Sequence, residues 1–132
     1  MRFFFSDLAE ANGATAAAVQ SDGQVGRGEL GAGVSERASF VGTLHGRQTA
    51  AKGRQEGAGR ENAVAVALAA VRLPCVGSDL LVTVNAPARI AGGSASAEHA
   101  GAGDKAGADQ AAQDILGRVL RSLSVHDWGL FG

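Results

Sequence analysis

The sequence predicts an α/β fold, a mixed sheet of four to five strands flanked by helices. Three observations carry this. Short apolar, β-prone blocks recur at Phe3–Ser6, Ala38–Leu44 and Asp79–Val84. Two longer stretches, from about Arg60 to Leu73 and from about Lys105 to Leu123, place large apolar residues at helical spacing. Glycine, Asn-Gly and proline punctuate the boundaries between them. The 132 residues argue for a single domain over 1–132, because two cores would each be too small to bury enough apolar surface.

The elements follow in order. Phe3–Ser6 reads as a first strand with Asp7 at its C-terminal end. Asn12-Gly13 supplies a turn, and Ala14–Gln20 reads as a strand returning beside the first. Residues 24–34 carry Gly26, Gly28, Gly31 and Gly33, so a strand there is expected to be weak, bulged or at an edge. Ala38–Leu44 is a better strand. Gly46–Gly59 has loop composition, with four glycines and the charges Arg47, Lys52, Arg54 and Glu56. The first long helix then opens at Arg60 and Glu61, carries Val64, Leu68 and Val71 on one stripe, and ends at Pro74. Asp79–Val84, apolar on both faces, reads as a central strand delivering Asn85. Residues 91–107 read as a loop, and the last helix carries Asp109, Ala112, Leu116, Leu120 and Leu123 on one stripe.

Composition excludes several classes. Twenty-seven alanines and twenty glycines leave few large core formers, yet a net charge of −1 and blocky apolar residues argue against a disordered chain. The glycines keep no collagen period. The longest apolar run, Ala63–Val71, is far short of the roughly 20 residues that cross a bilayer, and the start lacks a secretory pattern, so a cytoplasmic protein is expected. Cys75 is the sole cysteine, which rules out an intrachain disulfide and a cysteine metal site.

One constellation suggests chemistry. Asp7 and Asn85 end expected strands, Glu61 and Asp109 open expected helices, and all four would face one end of the sheet. Gathered carboxylates repel unless a cation lies between them, and a hard-oxygen ligand set favours Mg²⁺ or Mn²⁺ over zinc. Two such ions about 4 Å apart would hydrolyse a phosphodiester. These residues, with Asn12-Gly13, the Glu61–Leu68 segment, Leu80–Ala86 and the His99-Ala100-Gly101 to Asp109 spacing, resemble ribonuclease H of type 1.

The resemblance implies a ribonuclease H-like fold and an endoribonuclease that cleaves the RNA strand of RNA–DNA hybrids with two metal ions. It implies Asp7, Glu61, Asn85 and Asp109 as metal-binding catalytic positions, with His99 assisting proton transfer or product release. Asn85 stands where the family has an acid, and only 13 residues separate it from His99. An amide there offers an oxygen without charge, so the alternative is a non-catalytic nucleic-acid-binding or interaction module. Arg47, Lys52, Arg54 and Arg60 are placed to contact phosphates, and Asn12 a 2′-hydroxyl. A monomer is expected, with the apolar tail Trp128, Leu130 and Phe131 as an alternative dimer contact.

Overall fold

The computed structural model describes residues 1–51, 61–94 and 96–131. Helix α1 (Arg2–Ala11) is followed by strand β1 (Ala16–Gln24), a 3₁₀ turn at Arg27–Glu29 and the short helix α2 (Ala32–Ser35). Strands β2 (Phe40–Ala51), β3 (Glu61–Leu73) and β4 (Ser78–Ile90) come next, then the short helix α3 (Ala97–Ala100), the two-residue strand β5 (Gly103–Asp104), helix α4 (Ala108–Ser122) and a last 3₁₀ turn at Trp128–Phe131. The strands lie in chain order β1-β2-β3-β4-β5, and each pairs antiparallel with the next.

The chain is therefore α/β, as expected, but its sheet is wholly antiparallel rather than mixed. Parallel neighbours need a crossover of a dozen residues or more, usually helical. The stretch read as the first long helix, which would supply such a crossover, is β3 itself, and only residues 74–77 separate it from β4. Ala63–Val71 satisfies a helical stripe and a doubly buried strand equally well, since periodicity does not separate the two for a continuous apolar run. The tertiary setting selects the strand: Val66 and Leu68 point toward α1, while Ala65, Ala67, Ala69 and Val71 point toward α4, all of them buried.

Phe3–Ser6 departs in the opposite sense, lying inside α1. Met1, Phe4, Phe5, Leu8 and Ala9 recur at helical spacing and form one face that docks on the sheet, with Phe5 and Ala9 buried. Phe5 fits because Gly46 on β2 has no side chain; a Cβ there would stand 2.7 Å from the Phe5 ring and 2.6 Å from the Ala18 carbonyl oxygen. β2 runs on from the expected Ala38–Leu44 strand into the segment read as a loop, so Arg47 is a strand residue. The glycine-rich segment 24–34 holds the 3₁₀ turn and α2 instead of a strand. β4 passes through Pro87 at a register shift, where Pro87 and Arg89 oppose the consecutive Val64 and Ala63, a bulge position that tolerates proline.

α4 follows its expected stripe: Ala108, Ala112, Leu116 and Leu120 are buried against the opposite sheet face from α1. The larger core lies on this side, and the smaller one, built on Phe5, Leu44, Val66 and Leu68, lies under α1. No helix among the described residues is long and apolar enough to cross a membrane.

Candidate functional site

The positions expected to gather at one end of the sheet are divided by it. Asp7 sits on α1 and is exposed, while Asp109 opens α4 on the other face. Glu61 begins β3, where its carboxylate accepts a hydrogen bond from Thr15 Oγ1 at 2.8 Å. Asn85 is exposed on β4, and His99 belongs to α3. Among the described residues no group of three or more His, Cys, Asp or Glu side chains could hold a metal ion. The acids therefore do not fit a two-metal centre. They were placed together by reading α1 as a strand and β3 as a helix, and exchanging those two elements sends the side chains to different faces.

Asp109 has a different role. Arg47 Nε and Nη2 donate to its two carboxylate oxygens at 3.1 and 2.5 Å. The hydrogen bond from Arg47 holds the Asp109 carboxyl below the usual carboxylate range. This fork ties the start of α4 to β2, and it engages Arg47 within the chain rather than leaving it for phosphates. Lys52, Arg54 and Arg60 lie outside the described residues.

Asn12 and Asn85 do come together. They line a cleft of about 340 Å³ on the α1 side, with Gln48, Asn62, Val64 and Ser96. Asn12 Nδ2 donates to Gln48 Oε1 at 3.0 Å, Gln48 Nε2 reaches the Phe5 carbonyl at 3.4 Å, and Asn62 Nδ2 donates to Ser94 Oγ at 2.9 Å. The buried amides are thus satisfied internally, as burial demands. The result is a polar trough between α1 and β4, floored by β2 and β3.

A second cleft, about 440 Å³, lies on the α4 side between β2 and the Gln110, Gln113 and Gly117 flank of α4. His45 lines it, with Nδ1 buried and without a hydrogen-bond partner among the described residues, and burial pushes the imidazole below its usual range. As pH falls through the ordinary histidine value of about 6.5, the unfolded chain takes up a proton that folded His45 refuses. Stability is therefore expected to fall below that pH, until folded His45 titrates too. In His45→Gln this contribution disappears, flattening the difference in urea midpoint between pH 7.5 and pH 5.5; an unchanged difference would show that His45 does not contribute to it.

Exposed apolar side chains are concentrated at few places: Phe3 on α1 is 71% exposed, Leu81 on β4 44%, Ile115 on α4 42% and Leu130 in the tail 84%. The first two belong to a continuous stretch of chain, α1 through β4, that is the subject of a family match. Residues 1–87 match the model described as Ran-interacting Mog1 protein. The chain belongs to the Mog1 family. No match to a curated protein was found.

Membership of the Mog1 family corrects the functional reading. The ribonuclease H resemblance, the hybrid-cleaving activity and the RNA–DNA hybrid as partner are overturned, because the match assigns the chain to a family described by interaction with Ran. The His99-Ala100-Gly101 to Asp109 spacing, the most specific part of the resemblance, lies beyond the Mog1-matched residues altogether. Sequence reading also missed the partners of Arg47, Gln48 and Asn62. Their pairings run across strands and between sheet and helix, and no local spacing encodes them.

Proposed function

We propose that this chain is a non-catalytic protein-interaction module whose partner is a Ran-type small GTPase. The observation that carries the reading is the match of residues 1–87 to the Ran-interacting Mog1 model. That segment comprises α1, β1 to β3 and the short elements between them, with β4 as far as Pro87, and so includes α1 and the strands beneath it while leaving out α4. The surface of α1 supports it as well. Phe3 points to solvent with its ring edge against Phe4 at a centroid distance of 5.8 Å, and exposed aromatic anchors are the residues from which interface energy is usually drawn. Among the described residues the acids do not converge, which leaves the two-metal reading without support and has no bearing on binding.

Calorimetric titration of the chain against Ran in its GDP-bound, GTP-bound and nucleotide-free forms tests the reading. Saturable binding to at least one form is expected, weakened about tenfold or more by Phe3→Ser if that ring is an anchor. Phe3→Ser should fold normally, because the side chain is exposed. Failure to bind in all three forms overturns the proposal.

A further inference from the structure

The sheet has two edges, and they are built differently. β1 carries a bulge between Val19 and Ser21, followed by Asp22 and Gly23, features that twist and charge an edge against unwanted pairing. β4 carries its register shift at Pro87 to Arg89 and its charges Asp79 and Arg89 only toward its ends, so its middle lacks such protection. β5 pairs only with Arg89 and Ile90, so among the described residues no strand pairs with the outward edge of β4 from Ser78 to Pro87. Within that span Leu80–Ala86 contains no charge, no glycine and no proline. A long, uncharged, β-prone edge is a template for another strand.

The surroundings state what that strand must be. Leu80, Val82, Val84 and Ala86 pack against the α4-side core yet remain only partly buried, so an incoming strand with apolar residues on the same face would complete their cover. Because the Gln110, Gln113 and Gly117 flank of α4 lines the cleft over β2, Ile115 falls on the other flank, toward the β4 edge. The occupant therefore needs apolar residues at alternate positions on the α4 side and uncharged residues between them. β4 has this pattern itself, with Thr83 and Asn85 on the opposite face. Two copies related by a two-fold axis perpendicular to the sheet would run antiparallel and keep both faces in register. Each apolar row would meet its own copy, and no like charges would come opposite each other within Leu80–Ala86.

We infer that a second copy of this chain pairs with β4, joining two five-stranded sheets edge to edge into a symmetric dimer. The inference stands independently of the Ran reading, since it uses no residue of α1. Sedimentation and light scattering of the full chain over a wide range of concentration test it. The expected mass rises to twice the 13.2 kDa of one chain, and amides of β4 gain protection from hydrogen exchange as concentration rises. Thr83→Lys, at an exposed position in the middle of the edge, is expected to return the protein to one chain while its circular dichroism stays unchanged. Leu81→Lys is a second variant with the same expectation, and Ala17→Lys on β1 should leave the dimer intact. A mass of one chain at every concentration overturns the inference. So does a dimer that survives both β4 variants but is lost on Leu130→Ser, which would place the contact in the C-terminal tail.

Discussion

Leu68→Ala is expected to lower the free energy of unfolding by about 2–5 kcal/mol, the range for removing a fully buried leucine side chain. Leu68 is 2% exposed in the middle of β3 and forms the α1-side core with Phe5, Leu44 and Val66. That core has few large residues, and its neighbours along β3 on the other face are alanines that cannot swing in to fill a void. A domain of this size has roughly 5–15 kcal/mol of net stability, so the loss would be a large fraction of the whole. Urea unfolding should show a lower midpoint with an unchanged slope. Leu81→Ala, at a 44% exposed position on the next strand, provides the contrast and is expected to stay within about 0.5 kcal/mol of the parent. Equal effects at the two positions would contradict the packing of α1 on the sheet.

Gly31→Ala is expected to cost about 1–3 kcal/mol through overpacking. Gly31 precedes α2, and its N–H donates to the Leu120 carbonyl at 2.9 Å, which brings the two backbones together at the end of α4. A Cβ at this position would lie only 2.1 Å from the Leu123 carbonyl oxygen and 3.3 Å from that of Arg121. Both obstacles are backbone atoms, so no side-chain rotation relieves the clash and α2 must separate from α4. Two residues on, a Cβ at Gly33 meets nothing within 4 Å. Gly33→Ala should therefore be neutral or stabilising by up to about 1 kcal/mol, as for glycine replaced within a helix. Thermal unfolding of the pair checks the contrast; a destabilised Gly33→Ala and an unaffected Gly31→Ala would refute it.

Legibility in the sequence varied with the kind of signal. α4 is legible because its stripe of alanines and leucines is bordered by polar residues, so only one period fits. β4 is legible as a strand but not as an edge, since apolar residues on both faces are as compatible with an uncapped edge as with an interior strand. The turn at Asn12-Gly13 marks the start of the bulged, exposed β1, although the partner of β1 is β2 rather than the segment before it. The candidate site was largely illegible. Its four metal positions depend on which face each element presents, and the helix–strand exchanges at Phe3–Ser6 and at β3 are enough to scatter them.

The sequence by itself determined an α/β chain, with turns at its glycines, a C-terminal amphipathic helix and too short an apolar run for a bilayer span. Those features follow from local chemistry: backbone freedom at glycine, side-chain period, run length. Only the tertiary structure decided that Phe3–Ser6 coils and that Ala63–Val71 extends. It also decided that Arg47 is held by Asp109 and that β4 is left open. Each of these is settled by what lies on the far side of a side chain. An Ala-Val run buries itself as a strand when helices cover both of its faces, and neither helix adjoins it in the sequence.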